Sequence, residues 1–405
     1  KHHDLHTYTA IKSSGIKKGF YLNIDGGGDM GDTRHSTWGF FNGNHLKENF
    51  NLKGMNSIGN FHNFITEYCG FSDNGKVSGL AGYGKVRNNL KKNLEKLITV
   101  NYKGIFFDRK RFQTTECSPN NINLNSYSRH KILRPKSSKT NVSKICAGYL
   151  PEDVAATGEE IMVEKIILFL DKIKKKYLKK KVSAVFSGGL FLNVRINNRI
   201  EESNIFERCF FPMAPGDSGL ALGGIFSEKI NLRIKKSRFG ISPSIGPSFD
   251  DKDILKIIKN FNINFTKPKN IFKDVAKSVH KGEIVGIFQG KAEYGPRSLG
   301  NRSILADPRT KLSKLKLNQK IKKRDWFMPF APAVLDKNYK DYFSDNNPSL
   351  YMQKASKVKN KHKKIIPSAI HVDGTCRVQY VDKKIFPNFW KIIYEFKKIT
   401  NLPIL

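Results

Sequence analysis

The first strong pattern along the chain is the run Phe20-Tyr21-Leu22-Asn23-Ile24, apolar at four of five positions and closed by Asp25-Gly26-Gly27-Gly28-Asp29. It predicts a buried strand ending in a tight turn. Ahead of it, His2 to Ser13 predicts a short helix. Helical apolar spacing returns from Gly54 to Phe71, and the stretch Gly79-Leu80-Ala81-Gly82-Tyr83-Gly84 reads as turns. Ser118 to Lys144 is polar and without period, as expected of a long surface excursion. A long helix is predicted from about Pro151 to Lys180, with Pro151 at its start and Val154, Ile161, Ile166, Leu168 and Leu170 on its apolar face. Then come a strand at Val182–Phe186, the turn Ser187-Gly188-Gly189, a helix, and a strand at Arg208–Phe211. Pro215-Gly216-Asp217-Ser218-Gly219 opens a small-residue helix that runs to about Glu228. Alternation of strand, glycine turn and helix marks an α/β fold. Residues 1–230 read as one domain, the Ser/Pro/Gly-rich 231–250 as a linker, and 251–405 as a second α/β domain with a strand at Ile284–Phe288. No internal repeat is visible.

Composition narrows the class. The 405 residues suffice for two or three domains, and 39% apolar with 11% aromatic residues is a globular composition. No apolar run approaches the ~18 residues of a membrane-spanning helix. The opening Lys1-His2-His3-Asp4 has neither an initiator Met nor a signal layout, and reads as the interior of a longer protein. Five scattered cysteines (Cys69, Cys117, Cys146, Cys209, Cys376) form no CxxC pair, which points to a reducing, cytoplasmic setting without disulfides or a zinc knuckle. The net charge of +37 has two readings. Clustered Lys and Arg would bind nucleic acid or an anionic membrane. Here, however, Lys greatly outnumbers Arg, Asn and Ile are abundant too, and the lysines are spread along the chain, the mark of an AT-rich genome. Neither a nucleic-acid partner nor membrane insertion is expected.

Three constellations carry chemistry. His2 and His6 lie one helical turn apart on one face, and Asp25 and Asp217 follow strands, so the four offer a mixed nitrogen/oxygen set of the kind that holds iron or another divalent transition metal. The same spacing also fits two surface imidazoles. Second, the glycine turns at Gly26-Gly27, Gly188-Gly189 and Gly216 follow strands, and such turns present backbone N–H groups to phosphates. Three of them in one domain resemble the nucleotide cleft of the actin-like ATPases. Third, Gly290 to Leu305 interleaves glycines with Arg297 and Arg302. Lys322 and Arg324 follow, and then His371-Val372-Asp373-Gly374-Thr375-Cys376-Arg377. Arginines bind phosphate oxygens bidentately and lysines as point charges.

Taken together, His2-His3-Asp4-Leu5-His6, Val77 to Gly84, Ser187 to Asn193, Pro215 to Gly223, Gly295 to Pro308, Phe330-Ala331-Pro332 and His371 to Gln379 resemble the NodU/CmcH carbamoyltransferases over nearly the whole chain. The resemblance implies an actin-like domain, similar to the tRNA threonylcarbamoyl transferases, followed by a YrdC-like α/β domain. It implies Fe(II) or another divalent metal on His2, His6, Asp25 and Asp217. Nucleotide would lie on Gly26, Gly27, Gly188, Gly189, Asn193 and Gly216, and Lys322, Arg324, Arg297, Arg302, His371 and Arg377 would act catalytically. The co-substrates would be ATP with Mg²⁺ and carbamoyl phosphate, the intermediate carbamoyl-adenylate, and the partner a small-molecule or glycan acceptor with a free hydroxyl. Members of the family begin upstream of the paired histidines and continue past Leu405, so this chain is read as a fragment. Gly82 stands where Pro is usual and Cys376 where Ala is usual. A tRNA-modifying enzyme and a non-catalytic basic binding fragment are the alternatives. The first would bind tRNA with a steep salt dependence, and the second would bind neither metal nor nucleotide.

Overall fold

The computed structural model describes all residues except 29–32, 55, 109–140, 229–233 and 346, with backbone only at 141–143. They form two compact units, Lys1–Ile230 with Asp325–Met328, and Asn231–Arg324 with Pro329–Leu405. Both are mixed α/β.

In the first unit, helix α1 (His2–Ser14) ends at Gly15, whose φ of 69° stops the helix in the left-handed region. Strands β1 (Lys18–Ile24), β2 (Arg34–Asn42) and β3 (His45–Lys53) form an antiparallel meander. Helices α2 (Ile58–Tyr68), α3 (Asn74–Ala81) and α4 (Asn88–Glu95), the hairpin β4 (Ile98–Val100) and β5 (Ile105–Phe107), and α5 (Asn141–Cys146) follow. Then come α6 (Pro151–Tyr177), β6 (Ala184–Ser187), α7 (Val194–Glu202), β7 (Cys209–Phe210) and α8 (Leu220–Ser227). The sheet order is β3-β2-β1-β6-β7, with β1, β6 and β7 parallel. The central strand β1 is buried on both faces, which is why its sequence is a run rather than an alternation. Phe20, Leu22 and Ile24 join the large core with Trp38, Phe61, Ile65 and the residues of α6. Asn23 points the other way, toward α1.

Several elements differ from the pattern-based expectation. The stretch read as turns begins inside α3, which Asp73 caps by accepting the N–H of Gly75. Its Gly79 lies against the ring of Phe327, which the segment Asp325–Met328 brings into this core. Leu168 is not on the apolar face of α6 but 44% exposed. In the first half of that helix every residue from Val154 to Val163 except Glu160 is buried. In the second half the buried arc narrows to Ile166, Phe169, Leu170 and Ile173, and Leu168 falls outside it. Residues 118–140 of the polar excursion lie outside the described residues, and its end forms α5.

The second unit is built of small sheets. Its first hairpin, β8 (Lys236–Ser237) with β9 (Gly240–Ile241), lies inside the stretch read as a linker. Ile241 is buried there, and its carbonyl accepts the Tyr351 hydroxyl at 2.6 Å. Helices α9 (Asp251–Asn260) and α10 (Ile271–His280) lead to the antiparallel pair β10 (Val285–Phe288) and β11 (Arg302–Leu305). Helix α11 (Lys311–Lys316), β12 (Ala333–Leu335), α12 (Tyr339–Tyr342), β13 (Ser356–Lys357), β14 (Thr375–Cys376), β15 (Gln379–Val381) and α13 (Pro387–Thr400) complete it. Val275, Ala276 and Val279 of α10 and Phe389, Ile392, Ile393 and Phe396 of α13 supply its core. Leu405 exchanges backbone hydrogen bonds with Ala333, extending the β12–β15 pair. Among the described residues no helix is long and apolar enough to cross a membrane.

Candidate metal centre and cationic cavity

Helix α1 lies across the face of the sheet at β1 and is fixed there by polar groups. The Asn23 amide donates to the His3 carbonyl at 3.0 Å, to the Thr7 hydroxyl at 2.5 Å and to the Thr37 hydroxyl at 3.1 Å, and its oxygen accepts from the Ser187 hydroxyl. His3 Nε2 stands 2.9 Å from the Arg34 carbonyl, and burial, then the neighbouring histidines, push its pKa down to about 4, so it is a neutral donor to that oxygen. Asn23 therefore ties α1, β1, β2 and β6 together. A polar residue inside an apolar run was the signal for it, since a buried amide is costly unless paired.

This placement turns His2 and His6 toward the strand ends. Their Nε2 atoms are 3.1 Å apart; His6 Nε2 is 3.2 Å from Asp25 Oδ2, and Asp217 Oδ1 lies 3.5 Å from His2 and 3.6 Å from His6. One ligand atom from each of the four lies within 4.8 Å of all the others. Burial opposes a charge on His6, but the hydrogen bonds and charges of Asp217 and Asp25 win and raise its pKa. Burial likewise opposes ionisation of Asp25, yet His6 and the N–H groups of Gly189 and Gly26 hold its carboxyl below the usual range. Two ring nitrogens facing each other beside two carboxylates fit a divalent cation, which satisfies all four at once where a proton satisfies only one pair. The Asp217 side chain is 74% exposed, so this side of the cluster is open to a further ligand.

The three glycine turns sit side by side at the carboxyl ends of β1, β6 and β7, where ligands bind in open α/β sheets. Not all of their N–H groups face outward, however. Gly26 and Gly189 donate to the Asp25 carboxylate at 2.7 and 3.0 Å, and Gly188 donates to the Pro215 carbonyl at 2.7 Å. In these three cases the expected phosphate donors are used internally, two of them to orient Asp25 and the third to join the Gly188 and Pro215 turns. Asn193 is likewise committed. Its oxygen caps α7 by accepting from Arg195 and Ile196, and its amide donates to Glu159 and Ser78. Gly27 borders open space, and Gly216 packs beside Gly189.

The second unit holds a cavity of about 350 Å³ whose lining includes Arg297, Lys314, Lys322, Arg324 and Arg377. The loop bearing Arg297 is organised by Glu293, whose carboxylate accepts the N–H groups of Leu299, Asn301 and Arg302 at 2.8, 2.7 and 3.2 Å. Lys322 ends a single π turn, Leu317–Ile321, through its N–H bond to the Leu317 carbonyl, and Lys323 after it has a φ of 45°. Such turns are frequent at functional sites. Arg324 bonds Asn318 Oδ1 at 2.7 Å and stacks on Phe330 at 4.2 Å. Burial, then the charges of Arg297 and Arg324, push the pKa of Arg377 down to about 9. Burial and Arg324 also lower that of Lys314. Among the described residues of the lining Asp307 is the one acidic side chain, and Arg309 holds it at 2.6 Å. Like charges gathered in a partly enclosed space call for an anion.

Two expected members stand elsewhere. Arg302 donates to the carbonyls of Gln289, Asn301 and Gly290 and covers the Phe288 ring at 3.8 Å, so it braces the loop. His371 Nδ1 lies 3.2 Å from Asp373, which in turn holds the N–H and hydroxyl of Thr375, and the group pins a turn. Lys314 was missed by sequence reasoning. Counting at α-helical period from Lys314 to Lys322 fails because the π turn intervenes.

Comparison with known proteins bears on the whole chain. The family described as Carbamoyltransferase N-terminus matches residues 1–226, and that described as Carbamoyltransferase C-terminus matches residues 276–405. The chain is 32% identical to the protein MJ1051 of Methanocaldococcus jannaschii over 414 residues, covering 100% of this chain and 74% of that protein. It is 28% identical to Nodulation protein NolO of Bradyrhizobium diazoefficiens over 416 residues, 100% of this chain and 71% of that protein. Against Nodulation protein U of Azorhizobium caulinodans it is 28% identical over 268 residues, 65% of this chain and 46% of that protein.

Proposed function

The chain belongs to the carbamoyltransferase family, and from that premise we propose that it forms carbamoyl-adenylate from carbamoyl phosphate and Mg²⁺·ATP and passes the carbamoyl group to a hydroxyl of a sugar, glycan or secondary metabolite. The observation that carries the reading is the cationic cavity of the second unit, with five basic side chains in its lining against one carboxylate already held by Arg309. Carbamoyl phosphate and ATP are both polyanions, and an anion would offset both the burial and the neighbouring Arg297 and Arg324 charges that depress Arg377. Arg297, Arg324 and Arg377 bind phosphate and carbamoyl oxygens while water cleaves carbamoyl phosphate to carbamate and phosphate, and Lys314 and Lys322 neutralise the charge that gathers as a carbamate oxygen then attacks the α-phosphorus of ATP and pyrophosphate leaves. A mixed anhydride carries a better leaving group than carbamate alone, which is what the split reaction gains.

Transfer itself is assigned to the first unit. An antiparallel meander joined through β1 to parallel strands, with the candidate metal-binding side chains at the strand ends, supports reading it as an actin-like, tRNA threonylcarbamoyl transferase-like domain. The glycine-rich loop beside a basic cavity supports a YrdC-like reading of the second. His2, His6, Asp25 and Asp217 would hold Fe(II) or another divalent metal, which supplies Lewis acidity toward the carbamoyl oxygen. Asp217 keeps that side of the cluster open to the substrate, and Asn23 and Gly189 hold the histidines and Asp25 in place. The acceptor oxygen attacks the carbamoyl carbon, the bond to AMP breaks, and the hydroxyl proton goes to a base.

The test is pyrophosphate release from Mg²⁺·ATP without any acceptor, with Lys322→Ala alongside. Release that requires carbamoyl phosphate and is lost in the variant is the expected result. A folded, metal-loaded protein that releases none overturns the adenylate chemistry.

A further inference from the structure

Glu159 is a charged residue that the chemistry above leaves unused, and it is fully buried. A carboxylate in such a place is costly unless every lone pair is engaged. Here Oε1 accepts from the Ser78 hydroxyl at 2.6 Å, and the Asn193 amide donates to Oε1 at 3.0 Å and Oε2 at 2.9 Å. His62 Nε2 lies 3.2 Å from Oε1. Four separate segments, α2, α3, α6 and the turn before α7, thus meet on one carboxylate.

What Asn193 does with its other atoms gives the network a direction. Its Oδ1 caps α7, and its N–H closes the short turn Gly189–Leu192 onto the Leu190 carbonyl. That turn begins at Gly188, where φ is 94° and an added Cβ would stand 2.2 Å from the Ile24 carbonyl oxygen, so β1 leaves it no room to relax. Its next residue, Gly189, delivers the N–H that meets Asp25 Oδ2 at 3.0 Å. That same oxygen is 3.2 Å from His6.

We propose that Glu159 is a positioning residue of the metal centre: through Asn193 it fixes the 188–193 turn, and the turn orients the Asp25 carboxylate toward His2 and His6. The inference rests on the reading of His2, His6, Asp25 and Asp217 as metal ligands. A carboxylate is required because both of its oxygens accept. Glutamine keeps the shape but offers one acceptor, and its amide would face the amide of Asn193.

Co²⁺ titration of the protein followed by its visible absorption tests this. Glu159→Gln and Asn193→Ser, the latter retaining an N-cap hydroxyl for α7, are each expected to weaken Co²⁺ binding roughly 10–100-fold, as loss of a group that orients a ligand does. Both should change the Co²⁺ spectrum. The double variant should be no weaker than the worse single one, since both cut the same link. Should Glu159→Gln fail to fold, Asn193→Ser carries the measurement. Co²⁺ affinity and spectrum unchanged in the folded variants, whatever their melting temperatures, overturn the inference and leave Glu159 a knot in the core. If the unsubstituted protein binds no Co²⁺, the metal reading itself falls, and the inference falls with it.

Discussion

Gly223 and Gly224 are neighbours in helix α8, and the structure assigns them opposite fates when replaced by alanine. A Cβ on Gly223 would stand 2.1 Å from the Leu5 carbonyl oxygen and 2.7 Å from the Thr9 hydroxyl, both on α1. A Cβ on Gly224 meets nothing within 4 Å. For Gly223→Ala the two helices must separate by roughly 1 Å to reach an ordinary carbon–oxygen contact, and overpacking of this kind costs about 1–3 kcal/mol. For Gly224→Ala no contact opposes the gain in helix propensity, about 1 kcal/mol in favour of alanine. Gly223→Ala gains the same propensity, so the two variants should differ by the overpacking cost alone, roughly 1–3 kcal/mol, which at ~2–4 °C per kcal/mol separates their melting temperatures by roughly 2–12 °C.

The pair also reads out the site. Helix α1 carries His2 and His6, while Asp217 lies just ahead of α8, so a shift of α1 along that contact moves the imidazoles away from Asp217. Scanning fluorimetry with and without Co²⁺ measures both effects. Gly223→Ala should melt lower and lose part of its metal-induced stabilisation, and Gly224→Ala should melt at or above the parent with that stabilisation intact. Equal melting temperatures for the two variants would refute the argument that these glycines set the distance between α1 and α8.

Removing metal ligands gives a second expectation. At a hundredfold excess over its dissociation constant, Co²⁺ should stabilise the protein by about 2.7 kcal/mol, and His6→Ala or Asp217→Asn should abolish that increment, as should a chelator. Arg377→Met removes one cation from a like-charge cluster and should leave the ligand-free protein as stable as the parent or more so, while carbamoyl phosphate binding by calorimetry drops at least tenfold. Unchanged binding would place the anion elsewhere. Burial opposes ionisation of Glu159, but His62, Ser78 and Asn193 keep its pKa below the ordinary 4.5. Its contribution to stability is therefore complete above about pH 4.5 and is lost as pH falls below that value toward the depressed folded pKa. Denaturant titrations between pH 6 and 3 should show this fall, and Glu159→Gln should flatten it.

How much of this a sequence discloses depends on whether a residue's neighbours are local. The helical period alone places His2 and His6 on one face of α1, and Asp25 and Asp217 announce themselves as turn residues after apolar strands. Their convergence needs the parallel pairing of β1, β6 and β7, which no local pattern encodes. The same limit explains the errors. Periodicity assigns one apolar face to α6, yet its first half is enclosed nearly all round, so Leu168 was placed in the core and nothing singled out the buried Glu159. The glycine turns were legible as turns, but whether a turn N–H faces a phosphate or a carboxylate of its own chain depends on Asp25, which comes from another strand. Arg297 and Arg302 share one loop and one composition. Arg302 bends back onto the Gln289 and Gly290 carbonyls just after β10, while Glu293 holds the loop and Arg297 lines the cavity. In each case the residue type was readable and its partner was not. The substitutions that most sharply probe the site are therefore those at Glu159, Asn193 and Gly223, which lie outside the four candidate metal ligands and the cationic cavity.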